Sequence, residues 1–311
     1  MNKVNKIRLF IDGREGTTGL GIESRVKNRH DIELIILPEE ERKSPAARKK
    51  AINESDVTIL CLPDSASIES VSLCENESTV IIDASTAHRT AEGWVYGLPE
   101  LNENQSEKIQ NAKRIAVPGC HASGFISLVY PLVKKGILGR DALLCCHSIT
   151  GYSGGGKKMI ASYESGNMSE NLKAPRQYGL SQSHKHIPEM MHLTGLLNAP
   201  AFCPIVASFY SGMLVTVPVF KSMLKEGCTA EDVKETLKSH YNGSLNIEYT
   251  EDMSDEGFAD SNTLSGTDKM QISVSGNEER ILLMARYDNL GKGASGAAAQ
   301  CLDLVLEGFL K

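Results

Sequence analysis

Cys120 is the residue of this sequence whose setting points most clearly to covalent chemistry. It follows Pro118 and Gly119 at the end of a short apolar run, 114–117, and it opens a stretch, 121–135, with the pattern of a helix. A thiol at a helix N-terminus lies beside unpaired N–H groups and the positive end of the helix dipole, which stabilise a thiolate. Thioesters form readily from cysteine and accept hydride at the carbonyl carbon. We therefore predict that Cys120 is a nucleophile that forms a thioester.

A thiol nucleophile needs an acid or base partner, and the densest histidine segment is His184-Lys-His-Ile-Pro-Glu189. Its two imidazoles can share one face, with Glu189 close enough to orient one of them. We favour His186 as the base and acid, with His184 as a substrate contact or the alternative base. Four other histidines are interpreted as surface residues, namely His30, His88, His192 and His240.

Gly13, Gly16 and Gly19 lie between the first predicted strand and the first predicted helix. Small residues at this junction let the backbone approach a pyrophosphate, and the helix N-terminus offers N–H groups to it. Glycine triplets are common in turns, but this position in an alternating strand and helix pattern predicts nucleotide binding.

The residues after the second predicted strand favour NADP over NAD. An NAD site usually has an acidic residue there, which binds the ribose 2′-hydroxyl. This sequence continues through glutamates at 39–41 to Arg42 and Lys43, which can hold a 2′-phosphate with help from Arg14. The alternative is a solvated charged loop without a role in cofactor binding.

Short apolar strands alternate with helices in the first part of the chain. The predicted strands are 6–11, 32–37, 57–62, 80–83 and 114–117. The first predicted helix ends near residue 28, and two further helices cover 46–53 and 68–74. This alternation predicts an α/β, Rossmann-type nucleotide domain with a parallel, doubly wound sheet.

Longer strands follow Cys120. They are predicted at 143–149, 205–209, 213–220, 246–249, 270–274 and 281–287, with helices at 121–135, 230–241 and about 295–310. We expect one hairpin around Ser211-Gly212, another across Gly276-Asn277, and a capped helix start at Thr229 with Asp232. These patterns predict an α+β catalytic domain with a mostly antiparallel sheet.

The bulk composition bounds the class of protein. A chain of 311 residues favours two domains, and a net charge of −6 favours neither nucleic acid nor an anionic membrane as a partner. No apolar run approaches the roughly 20 residues of a membrane helix, and no signal peptide is recognisable, so we expect a cytoplasmic protein. The eight cysteines lack zinc-finger spacing, so we expect no metal site and mostly reduced, structural thiols.

Several segments together resemble the N-acetyl-gamma-glutamyl-phosphate reductase family, of the shorter type. They occur in family order over nearly the whole chain, at 13–19, 83–89, 96–100, 117–120, 151–156, 184–189 and 289–297. The last two are much more specific than the glycine loop. The family is related to aspartate-semialdehyde dehydrogenase and, more distantly, to phosphorylating glyceraldehyde-3-phosphate dehydrogenase.

This resemblance implies that NADPH reduces N-acetyl-L-glutamyl 5-phosphate to N-acetyl-L-glutamate 5-semialdehyde in arginine biosynthesis, with release of phosphate. Cys120 would attack the acyl phosphate, and hydride would then reach the thioester carbonyl. His186 would take up and return the proton, and the Cys120 backbone N–H would stabilise the oxyanion.

The resemblance also implies a domain organisation. Segment 289–295 would fold back on the nucleotide domain, so that 1–118 with 290–311 form an NADP-binding domain, and 119–289 form a catalytic and oligomerisation domain. Relatives of this class usually associate, so a homodimer or homotetramer is expected.

The motifs and the resemblance together assign the remaining site residues. Those assigned to the cofactor are Gly13, Arg14, Gly16, Thr17, Thr18, Gly19, Arg42, Ser85, Asn289, Gly291 and Lys292. Arg89, Ser153 and Lys157 are assigned to the substrate, with a structural salt bridge as the alternative for the two cations.

Other functions remain open at this point. An aspartate-semialdehyde dehydrogenase would run the same chemistry on a free α-amine, and a related reductase would use a differently acylated substrate. A nucleotide-binding regulator would have lost the nucleophile or the histidine segment, and both are present. A metalloenzyme with His184 and His186 as ligands lacks a third ligand at a fixed spacing.

Overall fold

The computed structural model describes residues 6–166 and 168–309. The chain divides into two compact units: the first contains the described residues up to Pro118 and again from Ala294, and the second runs from Gly119 to Gly293. The first unit is therefore assembled from two separate parts of the chain. The prediction that the last helix reaches residue 310 lies outside the described residues.

An entirely parallel, six-stranded sheet forms the first unit, in the order β2-β1-β3-β4-β6-β5. Its strands are β1 (Ile7–Asp12), β2 (Ile32–Ile35), β3 (Val57–Leu60), β4 (Val80–Asp83), β5 (Val95–Tyr96) and β6 (Arg114–Ala116). Its helices are α1 (Thr17–Val26), α2 (Pro45–Glu54), α3 (Asp64–Ser72), α4 (Gln105–Asn111) and α10 (Gly296–Phe309). The predicted parallel sheet is confirmed, and the structure adds β5, which the sequence did not predict.

The strands of this sheet are apolar because both faces are covered. β3 and β4 are buried at every position, which is the pattern of parallel strands inside an α/β layer. One apolar cluster joins Ile59 and Ile82 of the sheet to Ile22 of α1 and Leu302 of α10. The last helix of the chain therefore belongs to the same core as the first strands.

The second unit contains a seven-stranded sheet in the order β11-β12-β13-β10-β7-β9-β8. Its strands are β7 (Cys145–Gly151), β8 (Arg176–Gln177), β9 (Ala201–Ala207), β10 (Met213–Phe220), β11 (Ile247–Tyr249), β12 (Met270–Gly276) and β13 (Arg280–Tyr287). The pairs β7 with β9 and β11 with β12 are parallel, and the other pairs are antiparallel. The prediction of a mostly antiparallel sheet is thus corrected to a mixed sheet, because long connections return the chain in the same direction at these two places.

The two predicted hairpins have opposite outcomes. The hairpin around Ser211-Gly212 is wrong, because β7 lies between the two strands that this loop joins. The hairpin across Gly276-Asn277 is confirmed by the antiparallel pairing of β12 with β13. The reciprocal capping by Thr229 and Asp232 of the helix that begins at Ala230 is confirmed as well.

Helix α5 (Cys120–Lys135) holds the predicted nucleophile, and it is accompanied by α6 (Gly156–Glu164), α7 (Glu170–Lys173), α8 (His186–Thr194) and α9 (Ala230–Tyr241). It packs against α8, α9, β10 and β13. Its side chains are buried on nearly every side, as expected for a helix that is hydrophobic all round. These contacts fix the position of its first turn.

A proline inside α5 is accommodated by a side chain from α9. Pro131 has no N–H to donate to the carbonyl of Ser127, one helical turn earlier. The hydroxyl of Tyr241 donates to that carbonyl instead, at 2.7 Å. The buried carbonyl therefore keeps a hydrogen bond, and α9 is tied to α5.

Across the described ranges, no helix is both long enough and apolar enough to cross a membrane.

Candidate active site

Cys120 is the first residue of α5, and Gly119 in extended conformation is its N-cap. The Gly119 N–H donates to Oε1 of Glu189 at 2.8 Å, and that carboxylate is buried. The thiol itself is half-buried. The predicted nucleophile thus lies at a helix N-terminus that a side chain of α8 holds in place.

The hydroxyl of a buried tyrosine on β13 hydrogen-bonds to the backbone of the first turn of α5. Tyr287 donates to the Cys120 carbonyl at 2.5 Å and accepts from the Gly124 N–H at 3.1 Å. An α-helix ordinarily joins these two backbone groups directly. Burial first, and then the charge of Cys120, raise the pKa of Tyr287 well above its ordinary value, so the phenol stays protonated and can donate.

Three imidazoles meet at this end of α5. The ring centroids lie 4.7 Å apart for His184 and His186, 5.5 Å apart for His121 and His186, and 6.0 Å apart for His121 and His184. His186 is the first residue of α8 and is buried, while its backbone N–H donates to Nδ1 of His184 at 3.2 Å. The two predicted histidines are therefore together, and the residue after Cys120 joins them.

His121 was not predicted as a site residue, although it follows the nucleophile directly. Its Nδ1 lies 2.6 Å from Oγ of Ser148 on β7, and its Nε2 lies 2.7 Å from the hydroxyl of Tyr178. Burial, and secondarily the charge of His184, lower the pKa of His121 to about 3, so this ring stays neutral. Burial, and then the charge of Cys120, raise the pKa of Tyr178, so its hydroxyl also keeps its proton. The partners come from distant parts of the chain, so adjacency to Cys120 was the one sequence signal for His121.

The segment after β13 lies against Cys120. Gly293 belongs to a π-helix, Gly291–Ser295, a rare conformation that is frequent at functional sites. A Cβ added at Gly293 would lie 3.0 Å from Cβ of Cys120, so a side chain there would press on the thiol residue. Lys292, predicted to contact the cofactor, is 1% exposed.

Asn289 and Ser153 form one buried group. Asn289 Nδ2 donates to Oγ of Ser153 at 2.9 Å, and its Oδ1 accepts from the Gly212 N–H at 2.9 Å. Ser153 follows β7 in a short 3-10 helix, Tyr152–Gly155. The structure thus joins a residue predicted for the cofactor to one predicted for the substrate. Lys157, the second substrate candidate in this loop, is exposed.

In the first unit, the glycine loop has the geometry that a close backbone approach requires. Gly13 has a φ of 81°, and a Cβ there would collide with the Cys61 carbonyl and lie 2.9 Å from the Leu62 side chain. A Cβ at Gly19 would lie 2.6 Å from the Gly13 carbonyl. Gly16 is the N-cap of α1 and has no side-chain cap, so the N–H groups of the first turn, which begins at Thr17 and Thr18, point out of the helix end.

Arg14 and Arg42, both predicted to hold the cofactor, flank one glutamate. Arg42 Nη1 lies 2.8 Å from Oε1 of Glu15, and Arg14 Nη2 lies 3.8 Å from the same oxygen. Arg14 also pairs with Glu23 of α1 at 3.2 Å. The two guanidinium groups therefore approach each other beside the glycine loop.

Asp83, at the end of β4, organises the neighbouring loop. It accepts hydrogen bonds from the side chains of Ser85 at 2.7 Å and Ser67 at 2.6 Å, and it lies 2.6 Å from Nδ1 of His88. His88 also stacks on Trp94, with ring centroids 4.1 Å apart. His88 is therefore packed into this network, and its interpretation as a surface residue is wrong.

Arg89, a predicted substrate cation, bonds to backbone in the first unit. Its Nε donates to the Val117 carbonyl at 2.9 Å and its Nη2 to the Ala84 carbonyl at 3.3 Å. These contacts link the loop after β4 to the segment that precedes Cys120.

Two family models match the chain. The semialdehyde dehydrogenase NAD binding domain matches residues 13–109, and the semialdehyde dehydrogenase dimerisation domain matches residues 120–289. A protein of a Chelativorans species named N-acetyl-gamma-glutamyl-phosphate reductase is 45% identical, over 97% of this chain and 99% of its own length. One of the same name from Burkholderia ambifaria is 43% identical over 96% of both chains.

Solved structures agree at the level of the fold. Aspartate semialdehyde dehydrogenase II from Vibrio cholerae has a TM-score of 0.71 at 15% identity, covering 97% of this chain and 99% of its own. A probable aspartate-semialdehyde dehydrogenase from Pseudomonas aeruginosa has a TM-score of 0.73 at 13% identity, covering 98% of this chain and 100% of its own. The full-length sequence matches and the matched domains together show that this chain belongs to the N-acetyl-gamma-glutamyl-phosphate reductase family, within the semialdehyde dehydrogenases.

Proposed function

We propose that this chain is an oxidoreductase that reduces N-acetyl-L-glutamyl 5-phosphate to N-acetyl-L-glutamate 5-semialdehyde, with release of phosphate, in arginine biosynthesis. The observation that carries the proposal is the position of Cys120 at the N-terminus of α5, beside three imidazoles. The relatives that bear this enzyme name match over nearly the whole chain, which supports the choice of substrate.

The reaction begins with the Cys120 thiolate. Its sulfur forms a bond to the acyl carbon while the bond from that carbon to the phosphate oxygen breaks, and phosphate leaves with the electron pair. The N–H groups at the start of α5 stabilise the oxyanion as the carbonyl becomes tetrahedral. The product is a thioester on Cys120. When bound, NADPH supplies a hydride to the thioester carbon.

His184 and His186 carry out proton transfer in this proposal. His186 takes the thiol proton before attack and returns one to sulfur when the carbon–sulfur bond breaks and the aldehyde leaves. His184 contacts the substrate or serves as the alternative base, and Glu189 positions α8 by accepting the Gly119 N–H. His121 stays neutral, so it orients its neighbours and exchanges no proton at neutral pH.

The cofactor is NADP(H) in this proposal. The glycine loop and the first turn of α1 bind the pyrophosphate, through Gly13, Gly16, Thr17, Thr18 and Gly19. Arg42 and Arg14 bind the 2′-phosphate, which would replace Glu15 as the partner of both. Ser85, Asn289, Gly291 and Lys292 complete the cofactor set, and Arg89, Ser153 and Lys157 bind substrate oxygens.

The proposed domains follow the same division of labour. Residues 1–118 with 290–311 bind the cofactor, and residues 119–289 catalyse the reaction and associate into a homodimer or homotetramer. The match of 120–289 to a dimerisation domain supports the second assignment.

The experiment that tests this function is a phosphate-dependent aldehyde oxidation assay, run with N-acetylglutamate and aspartate semialdehydes and with NADP and NAD. We expect higher kcat/KM for the N-acetylglutamyl compound and for NADP. The Cys120→Ser substitution should lower kcat by on the order of 10⁴-fold. The Arg42→Ala substitution should raise the KM for NADP but not for NAD. Faster turnover of the aspartyl compound, or an equal preference for NAD, would refute the corresponding assignment.

A further inference from the structure

A second cluster of thiols and imidazole lies on the sheet of the second unit. Cys145 and His147 are two residues apart on β7, so their side chains project from the same face of the strand. The parallel register of β7 and β9 places His147 beside Cys203. The sequence predicted no Cys/His metal site, because Cys203 comes from a strand much later in the chain, and strand pairing alone brings it here.

This cluster is on the opposite face of β7 from the proposed catalytic residues. Ser148, the next residue, is fully buried and bonds His121 of α5. Alternation along the strand therefore points Cys145 and His147 away from α5. In the single chain, His147 is exposed and Cys145 and Cys203 are half-buried, so an ion can reach the cluster.

The distance between Cys145 and His147 matches that of a tetrahedral thiolate and imidazole site. Sγ of Cys145 lies 3.5 Å from Nε2 of His147, and the ligand atoms of all three residues lie within 4.8 Å of one another. Zn–S bonds of about 2.3 Å and Zn–N bonds of about 2.05 Å at tetrahedral angles separate sulfur from nitrogen by roughly 3.6 Å, and two sulfurs by roughly 3.8 Å. Small side-chain movements are enough to form the site.

We propose that Cys145, His147 and Cys203 form a binding site for a thiophilic metal ion of the Zn²⁺ class, distinct from the proposed catalytic site. Two thiolates and one imidazole select zinc-like or cuprous ions over Mg²⁺ and Ca²⁺, which prefer oxygen. Three protein ligands leave a fourth tetrahedral position for water or an added ligand.

Co²⁺ titration of the reduced full chain tests the site, because tetrahedral thiolate coordination gives intense visible and sulfur-to-metal absorption. We expect one equivalent of Co²⁺ to bind and Zn²⁺ to displace it. Cys203→Ser and His147→Ala should each weaken binding by more than about 100-fold, since even residues behind the ligands contribute about 10- to 100-fold. Cys228→Ser, at a half-buried thiol of the same unit, is the matched control and should bind like the parent chain.

A Cys120→Ala variant separates this site from the proposed catalytic thiol. Retention of the Co²⁺ spectrum in Cys120→Ala supports the proposal, and its loss there would overturn it. It would also be overturned by an unchanged spectrum in the Cys145→Ser, Cys203→Ser double variant. A third outcome would also refute the metal site. In it, air oxidises Cys145 and Cys203 to a disulfide, and the chain binds no Co²⁺ after reduction. The two thiols would then be a redox pair.

Discussion

At the scale of single residues, the neutral His121 determines how the three imidazoles can coexist. Protonation of all three would place like charges 4.7 to 6.0 Å apart in a largely buried setting. Burial holds the pKa of His121 at about 3, so one ring of the group remains uncharged at neutral pH. It keeps one nitrogen as a donor and the other as an acceptor between Ser148 and Tyr178. We therefore expect His184 and His186, and not His121, to exchange protons.

The same shift makes stability depend on pH. A histidine whose folded pKa lies below its unfolded value of 6.5 contributes stability that is complete above pH 6.5 and is lost as the pH falls towards 3. When the pH is lowered from 7.5 to 5, protonation of this histidine in the unfolded chain should reduce the free energy of unfolding by about 2 kcal/mol. Urea unfolding of the parent chain and of His121→Gln at both pH values measures this loss of stability. Equal pH-dependent losses in the two proteins would contradict the shift.

Gly13 is the second residue whose type is set by geometry. Ala in its place must adopt a φ of 81° and also collide with the Cys61 carbonyl, whereas Gly93, with a φ of 79°, has nothing within 4 Å of an added Cβ. We expect Gly93→Ala to cost about 1 kcal/mol of stability, and Gly13→Ala to cost more and to weaken NADPH binding at least about tenfold. Calorimetric titration with NADPH checks this. Equal NADPH affinity in both variants would remove the role of Gly13.

At the scale of elements, the N-terminus of α5 depends on β13 and α8. The Tyr287 hydroxyl bridges the first turn, and Glu189 holds its N-cap. Both contacts are to backbone, so they position Cys120 independently of its own side chain. The helix that begins with the proposed nucleophile is therefore oriented by two elements that are far away in sequence.

Tyr287→Phe tests this positioning. The Cys120 carbonyl and the Gly124 N–H can hydrogen-bond to each other within the helix, so loss of the hydroxyl should cost only about 1 kcal/mol of stability. Loss of this contact with the first turn should lower kcat with little change in KM. Tyr249→Phe is the control, because its buried hydroxyl has no hydrogen-bond partner among the described residues, and it should leave stability and kcat unchanged. Parent-like kcat in Tyr287→Phe would show that the bridge does not position the thiol.

Elements set by local patterns could be predicted from the sequence, and elements set by distant pairing could not. The α5 helix, the capping of α9 at Thr229 and the β12–β13 hairpin each depend on neighbouring residues. The insertion of β7 between β9 and β10 depends on which strands pair, and no local signal encodes it. The same limit explains why Cys203 beside His147, and Ser148 beside His121, were not predicted.

At the scale of the whole molecule, the first unit uses both ends of the described chain. Helix α10 shares an apolar cluster with β1, β3 and β4, so the core of this unit includes residues that follow the second unit in the sequence. The family resemblance predicts that the nucleotide domain is formed by two separate stretches of the chain, whereas composition and periodicity contain no sign of it.

Association is the expectation at this scale, because 120–289 matches a dimerisation domain. Light scattering during size-exclusion chromatography should give two or four times the chain mass of 33.8 kDa. The unfolding temperature should rise with protein concentration, as mass action requires for a folded oligomer. A mass of one chain at all micromolar concentrations would contradict the expectation.

The central claim is that catalysis passes through a thioester on Cys120. The direct measurement is intact-protein mass spectrometry after mixing the enzyme with N-acetyl-L-glutamyl 5-phosphate without NADPH, followed by peptide mapping. We predict one N-acetylglutamyl adduct per chain, located on Cys120, absent from Cys120→Ser, and discharged when NADPH is added. An adduct that persists in Cys120→Ser, or turnover with no adduct on any cysteine, would contradict it.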